Sequence, residues 1–240
     1  TVVTWDAEAA EKGGFEHFMM KEIHEQPRVI SDTINSVIKE KDGKYELDFS
    51  ACGLSAEEMQ RFKMIWIAGC GSAYHVGVCA QYVIEDLAKI PVRVELASEF
   101  RYRKLGITED DLLIIISQSG ETADSLAALR KAKDMGVPTL AIVNVVGSSI
   151  AREADYVLYT LAGPEIAVAT TKAYSCQLIA CDLLITDYSS IVFDYSILSK
   201  PFICFGYDYD RYVKERGVYF DAEKVYPGGV LRTENEVLQR

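Results

Sequence analysis

The sequence is poor in the residues and patterns that several common classes of site require. Its 240 residues include three histidines and six cysteines, with no CxxC pair and no spacing typical of a metal site. The 25 Lys and Arg residues against 36 Asp and Glu give a net charge of −11, which argues against nucleic acid and anionic membranes as partners. No apolar run is long enough to span a membrane, and the first residues lack a signal-peptide pattern. We therefore expect a cytoplasmic protein with reduced thiols, no metal and no other cofactor.

A regular alternation of aliphatic strands and helices begins at Lys63, after a helical lead-in over residues 15–39 and a polar linker with a short helix. The predicted strands are KMIWIAG, PVRVELA, DLLIIIS, PTLAIVN and ADYVLYT, and the predicted helices cover residues 72–90, 122–136 and 164–180. Strands without polar alternation are typical of a parallel sheet covered on both faces. The sequence thus predicts an α/β fold with a doubly wound parallel sheet, a flavodoxin-like three-layer sandwich, whose ligands lie outside the carboxyl ends of the strands.

Two predicted strand-to-helix junctions combine glycine with hydroxyl side chains. They are CGSAYHVG, residues 70–77, and SQSGET, residues 117–122. Such a junction presents free backbone N–H groups and the positive end of a helix. The side-chain donors available to a phosphate are those of Ser72, Ser117, Gln118, Ser119 and Thr122. The alternative is that Ser119 only caps the helix and Thr122 is an ordinary first-turn residue.

These junctions, with ASEFRYR, NVVGSSIAREAD and PEIAVATTKAYS, resemble the first sugar-isomerase (SIS) domain of the glucosamine-6-phosphate synthase family, colinearly from Gly14 to Ala180. The resemblance implies binding of a hexose-6-phosphate (fructose-6-phosphate or glucosamine-6-phosphate) and pairing of two copies through SIS surfaces. It assigns the phosphate to Ser117, Gln118, Ser119 and Thr122, and sugar contacts to Ser72 and Val168. Many relatives have a serine where Ala73 stands, so one hydroxyl is missing here.

The resemblance assigns no catalytic residue to this chain. The glutaminase domain and the second SIS domain, which carries the acid–base groups in the family, have no counterpart in the sequence, so we expect sugar-phosphate binding without independent turnover. Glu121 is expected either to interact favourably with the dipole of the helix that it precedes or to lie beside the substrate. Lys172 is expected to lie on a helix surface. The arginines of ASEFRYR, Arg101 and Arg103, are open to a second interpretation as an anion-binding patch.

The tail differs in character from the rest of the chain. ITDYSSIVFDY and the residues around it, from Cys181 to Arg240, resemble the C-terminal end of CDP-glycerol glycerophosphotransferases, which implies donor contacts by Ser189, Ser190 and Asp194. The alternative for DYSS is a helix cap. The tail also predicts a further βαβ segment, with a strand over 183–186, a helix over 190–198 and a strand over 202–205.

These boundaries divide the chain into a helical lead-in and linker (1–62), an SIS domain (63–180) and a glycerophosphotransferase-like segment (181–240). A chain that matches two unrelated enzymes indicates a chimera, whose tail we expect to complete one cooperative unit instead of binding CDP-glycerol independently. Two alternatives to a sugar-phosphate-binding fragment stay open. One is a structural chimera without activity, and the other is a regulatory SIS module that senses sugar phosphates.

Overall fold

The computed structural model describes residues 11–41 and 44–184, and the backbone of residues 204–205 and 230–231. The chain forms two compact units, Thr1–Ser190 and Ile191–Arg240. Within the described residues, no helix has the length and apolar character needed to cross a membrane.

The lead-in contains a helix and an unpredicted hairpin. Helix α1 (Phe18–Asn35) is followed by strands β1 (Ile38–Lys41) and β2 (Lys44–Leu47), which pair antiparallel, and then by a 3-10 turn (Ser50–Cys52) and helix α2 (Ala56–Gln60). The predicted helix over 15–39 and the polar linker were therefore wrong at their junction, because residues 38–41 join the hairpin.

Pro27 lies inside α1 without ending the helix. Proline has no backbone N–H, so it leaves the carbonyl four residues earlier, that of Ile23, without its helical donor. The side-chain amide of Gln26 donates to that carbonyl at 3.4 Å. A neighbouring side chain thus replaces the missing backbone donor.

A five-stranded parallel sheet forms the centre of the first unit. Its strands are β3 (Met64–Gly69), β4 (Val92–Leu96), β5 (Asp111–Ser117), β6 (Thr139–Val143) and β7 (Tyr156–Tyr159), in the order β4-β3-β5-β6-β7. Every residue of β5 and β6 is buried, which explains why their sequences are apolar without alternation. The order is that of the predicted flavodoxin-like sandwich, so the fold class is confirmed.

Helices cover both faces of this sheet. They are α3 (Ser72–Leu87), α4 (Ala97–Phe100), α5 (Ala123–Asp134), α6 (Ser149–Glu153) and α7 (Lys172–Leu183). Helices α4, α5 and α6 pack on the face that carries Trp66, Leu113 and Ile115. Helix α3 packs on the opposite face, where a Cβ added to Gly77 would lie 2.9 Å from Ile67 Cγ2. Helix α7 packs against α3 and α1.

Helix α7 differs from its prediction at both ends. It begins at Lys172, not at residue 164, because the Glu165 carboxylate accepts hydrogen bonds from the Thr171 and Ala173 backbones and caps the helix there. It continues through Leu183, so the predicted strand over 183–186 was wrong at Leu183 and at Leu184, which forms the C-cap. A short apolar run does not distinguish a strand from a buried helical turn. Of the predicted strand over 202–205, Cys204–Phe205 is extended and pairs in parallel with Val230–Leu231 in the second unit.

The five described cysteines are free. Burial raises the pKa of the Cys176 thiol to about 11 and that of Cys181 to about 12. Both thiols of α7 are therefore protonated and unreactive near neutral pH, as expected for core cysteines.

The end of α7 yields a prediction about truncation. Cys181 and Leu183 are 2% and 3% exposed, so a chain that ends at residue 180 loses two core side chains. We expect that chain to be less stable than one that ends at residue 190 by about 2–4 kcal/mol, from the apolar burial lost. Urea unfolding of the two chains measures the difference. Equal stability would show that the last turn of α7 contributes nothing to the core.

Candidate functional site

The order of the strands creates a topological switch point between β3 and β5. The chain leaves β3 for a helix on one face of the sheet and leaves β5 for a helix on the other, so the two connections diverge at the carboxyl edge. In open parallel sheets such a switch point is where ligands bind. The segments that follow these strands are the two glycine- and hydroxyl-containing junctions, with Gly71 at φ 57° and Gly120 at φ 65°. The fold therefore brings both predicted junctions to this switch point.

The 117–122 loop (Ser117–Thr122) is held by its own hydroxyl groups. The Gly120 backbone N–H donates to Ser117 Oγ at 3.1 Å, and Ser117 Oγ lies 3.2 Å from Thr122 Oγ1. The Glu121 N–H donates to Ser119 Oγ at 3.2 Å. Ser119 does not cap α5, because the N-cap is Thr122, whose side chain makes no cap hydrogen bond. The hydroxyls thus cluster ahead of the helix instead of serving its first turn.

Position 120 of this loop must be glycine because the backbone lies close to the Ser148 side chain. A Cβ at this position would lie 2.0 Å from Ser148 Oγ and 2.5 Å from Ser148 Cβ. Ser148 is buried and begins the α6 turn, and its hydroxyl has no hydrogen-bond partner among the described residues. Both the positive φ and the lack of space therefore require glycine here.

Glu121 precedes α5, but its side chain forms hydrogen bonds with the start of α6 and not with α5. Its carboxylate accepts the Ser149 backbone N–H at 2.8 Å, at the start of α6. The hydrogen bonds with Ser149, and then the nearby Arg152 charge, hold the pKa of the Glu121 carboxyl below its usual value. The expected interaction with the dipole of the helix that follows Glu121 is therefore replaced by a bond to the first turn of α6, which was not predicted.

The other predicted sugar contacts lie on different segments of the same edge. Ser72 is exposed and is the first residue of α3, directly after Gly71. Ala73 beside it is buried in the first turn. Val168 lies in the 164–171 loop (residues 164–171) and its side chain is fully exposed. Ser189, Ser190 and Asp194 lie outside the described residues.

Three charged residues have roles that their local sequence did not indicate. Lys172 was expected on a helix surface, but it is 1% exposed and its Nζ donates to Glu25 Oε2 of α1 at 2.6 Å. Arg101 pairs with Asp124 at 2.6 Å and Arg103 pairs with Glu95 at 2.6 Å. Because carboxylates of the same chain neutralise both arginines, the structure does not support the interpretation of ASEFRYR as an anion-binding patch.

Asn144, which sequence reasoning missed, joins the two candidate ligand loops. It directly follows β6 and is 3% exposed. Its backbone N–H donates to the Gln118 carbonyl at 3.1 Å, and its Nδ2 donates to the Gly163 carbonyl at 2.8 Å. Its Oδ1 accepts the Ala162 N–H at 2.9 Å. The only local signal was a polar residue that ends a buried strand.

The SIS domain model matches residues 58–187, which is more than half of the chain. The chain belongs to the SIS domain family. The glutamine–fructose-6-phosphate aminotransferase of Clostridium tetani is 58% identical over 183 residues, which are 76% of this chain and 29% of that relative. The aminotransferase of Caldanaerobacter subterraneus is 57% identical over 187 residues, 78% of this chain and 30% of the relative. The SIS chain thus spans about 30% of the length of these curated relatives.

Solved structures agree with this SIS assignment. The C-terminal domain of glucosamine-fructose-6-phosphate aminotransferase from Francisella tularensis is 44% identical, with a TM-score of 0.68, over 73% of this chain and 48% of that one.

A second family model, CDP-glycerol:poly(glycerophosphate) glycerophosphotransferase, matches residues 151–240 and overlaps the SIS match. This partial match covers less than half of the chain and does not establish a second family.

Proposed function

We propose that this SIS domain binds a hexose-6-phosphate, fructose-6-phosphate or glucosamine-6-phosphate, with the phosphate at the 117–122 loop. The observation that supports the proposal most is the cluster of side-chain hydroxyls at the switch point between β3 and β5. Ser117 Oγ and Thr122 Oγ1 lie 3.2 Å apart, beside the N-terminus of α5. The similarity to aminotransferases named for fructose-6-phosphate supports the choice of ligand.

The hydrogen bonds of the loop suit an anionic ligand. A hydroxyl has one donor hydrogen and two acceptor lone pairs. Gly120 N–H donates to Ser117 Oγ and Glu121 N–H donates to Ser119 Oγ, so these bonds occupy acceptor lone pairs and leave the hydroxyl hydrogens unused. Between Ser117 and Thr122 one hydroxyl donates to the other, and the hydrogen of the accepting hydroxyl stays available to a phosphate oxygen, as does that of Ser119. Donation into a hydroxyl also strengthens it as a donor. Neutral donors and the end of a helix therefore replace the basic side chains that this acidic chain does not offer here.

We propose the division of roles that the family resemblance implies. Ser117, Gln118, Ser119 and Thr122 take the phosphate, while Ser72 and Val168 contact the sugar. The absence of a hydroxyl at Ala73 removes one donor to a charged group, worth about 1.5–3 kcal/mol, or roughly ten- to a hundredfold in affinity. We therefore expect weaker binding than in a relative with serine at that position.

The paired substitution Ser117→Ala and Ser119→Ala tests the assignment. Because each loses a hydroxyl donor to the phosphate, we expect the Kd for fructose-6-phosphate to rise at least tenfold. Isothermal titration calorimetry measures the change. Ser31→Ala is a matched control, since this serine lies in α1 and its hydroxyl donates to the Pro27 carbonyl of the same helix at 3.0 Å. Unphosphorylated fructose should bind negligibly, and equal affinity for fructose and its phosphate would contradict the assignment.

The proposal extends to the enzyme of which this domain would be a part. We propose that the chain is the sugar-binding part of a cytoplasmic glutamine–fructose-6-phosphate aminotransferase, without turnover of its own. Pairing of two copies through SIS surfaces stays a prediction, which sedimentation velocity checks. The regulatory alternative, a sugar-phosphate sensor, would show the same binding and differs in having an effector segment.

We propose for the C-terminal segment that it is of a different origin and makes the chain a chimera. The overlapping match of the glycerophosphotransferase model supports this origin. The donor contacts by Ser189, Ser190 and Asp194 stay predictions tied to the parent enzyme. We expect CDP-glycerol to leave the melting temperature of the chain unchanged, because only part of that enzyme's sequence is matched. A rise in the presence of excess CDP-glycerol would show an independent donor site.

A further inference from the structure

Glu22 of α1 is a buried carboxylate whose bonds go to the 164–171 loop. It is 2% exposed, and its Oε1 accepts the backbone N–H groups of Ile166 at 2.6 Å and Ala167 at 3.0 Å. Its Oε2 has no hydrogen-bond partner within the part of the chain that the structure describes. Burying a carboxylate is costly unless its bonds compensate. The described bonds that compensate here are those to the loop.

The rest of this loop is also tied down. Asn144 Nδ2 holds the Gly163 carbonyl, just before the loop. The Glu165 carboxylate accepts Thr170 Oγ1 at 2.8 Å and the Thr171 N–H at 2.8 Å. Val168 and Ala169, between these contacts, are exposed. The loop is therefore a fixed support whose crest is formed by Val168 and Ala169, with exposed Ile166 close by in the sequence.

This support adjoins the candidate phosphate site. Asn144 bonds to the Gln118 carbonyl through its backbone and to the Gly163 carbonyl through its side chain, so a single residue links the 117–122 loop to the residue directly before the 164–171 loop. Both loops follow strands at the carboxyl edge of the sheet. We therefore expect a ligand whose phosphate lies at the 117–122 loop to have its sugar part beside the 164–171 crest.

We propose that Glu22 is a positioning residue that presets the 164–171 loop as the wall against which the sugar part of the ligand binds. The proposal rests on the proposed function. Glu22 touches no ligand; it fixes the backbone on which Val168 stands. Its loss therefore weakens binding of the sugar part and leaves the phosphate contacts at the 117–122 loop unchanged.

Glu22→Asp tests this role, because it keeps the charge but is one methylene too short to reach both amides. Calorimetric titrations with fructose-6-phosphate and with inorganic phosphate measure the two parts separately. We expect the Kd for fructose-6-phosphate to rise at least fivefold and the Kd for phosphate to change less than twofold. Glu22→Gln keeps an acceptor oxygen and should stay within threefold for both ligands. A parallel rise for both ligands in Glu22→Asp, or no rise for either, would overturn the proposal.

Asp32→Ala on the same helix is the matched control, because Asp32 pairs with exposed Arg28 and not with the loop. Amide hydrogen exchange separates this proposal from the proposed function. If the wild-type chain binds neither ligand, the proposed function fails, but exchange at Ile166 and Ala167 still tests the clamp. We expect exchange at both amides to be at least tenfold faster in Glu22→Asp, with Leu113 in the central strand unchanged. Unchanged exchange at Ile166 and Ala167 would refute the role of Glu22.

Discussion

Gly120→Ala is expected to lower the free energy of unfolding by about 2–5 kcal/mol and to abolish phosphate binding. A left-handed backbone costs a non-glycine residue about 1–2 kcal/mol. The added Cβ would also lie 2.0 Å from Ser148 Oγ and 2.5 Å from Ser148 Cβ, and such overpacking costs about 1–3 kcal/mol. Relief of the clash moves either the 117–122 loop or the start of α6, so the hydroxyl cluster is displaced. Urea unfolding and phosphate titration measure the two effects.

Two further variants separate the causes. Gly136 has a similar φ of 76° but nothing within 4 Å of an added Cβ, so Gly136→Ala should show the backbone cost alone. The double variant Gly120→Ala with Ser148→Gly removes the clashing side chain and should recover about 1–3 kcal/mol. If Gly136→Ala and Gly120→Ala cost the same, the contact with Ser148 is not a constraint.

Glu25→Met is expected to destabilise the domain by about 3–5 kcal/mol, because it leaves a buried ammonium without its carboxylate. Lys172 is 1% exposed, and its Nζ lies 2.6 Å from Glu25 Oε2. The pair joins α1 to the first residue of α7, 147 positions away. Thermal and urea unfolding measure the loss.

The control variants for this ion pair use the same helix. Asp32→Asn removes an exposed carboxylate from α1 and should cost less than about 1 kcal/mol. The double variant Glu25→Met with Lys172→Met removes both charges of the pair and should recover part of the stability, since apolar replacement of a buried pair is often near neutral. Recovery is expected to be incomplete because Glu25 Oε1 also lies 3.8 Å from Lys21 Nζ. A Glu25→Met chain as stable as Asp32→Asn would mean that Lys172 reaches water or another acceptor.

The sequence was sufficient for those features that depend on local pattern. The β5 strand over Asp111–Ser117 was predicted with its observed bounds, because a buried parallel strand must be apolar on both faces. The hydroxyls of the 117–122 loop could also be identified from local sequence, because a glycine and polar side chains end that apolar strand directly before a helix. Local composition carries both signals.

Long-range contacts explain what could not be predicted. Lys172 has the surroundings of a surface lysine in sequence, and only its distant partner, Glu25, makes it a buried one. The start of α7 depends on where the Glu165 carboxylate folds back, and the role of Glu121 depends on Ser149, 28 residues away. In each case a side chain bonds to backbone or charge that no local pattern identifies.

The pairing of two arginines with carboxylates affects how the proposed site would hold an anion. Arg101 and Arg103 are neutralised by Asp124 and Glu95, so neither is available as a counter-ion in the described structure. In the proposed site, an anion would be held by hydroxyls, an amide and backbone N–H groups, whose selectivity depends on shape and hydrogen bonding more than on charge. Such a site should tolerate added salt better than one built on surface lysines.

The most direct test is to follow backbone amide chemical shifts by NMR while fructose-6-phosphate is added to the chain. If the phosphate binds at the 117–122 loop, the largest shifts should fall on Ser119, Gly120, Glu121 and the first turn of α5. Fructose at the same concentration should leave these amides unchanged. Shifts centred on another part of the domain, or equal shifts with fructose, would contradict the assignment of the phosphate to this loop.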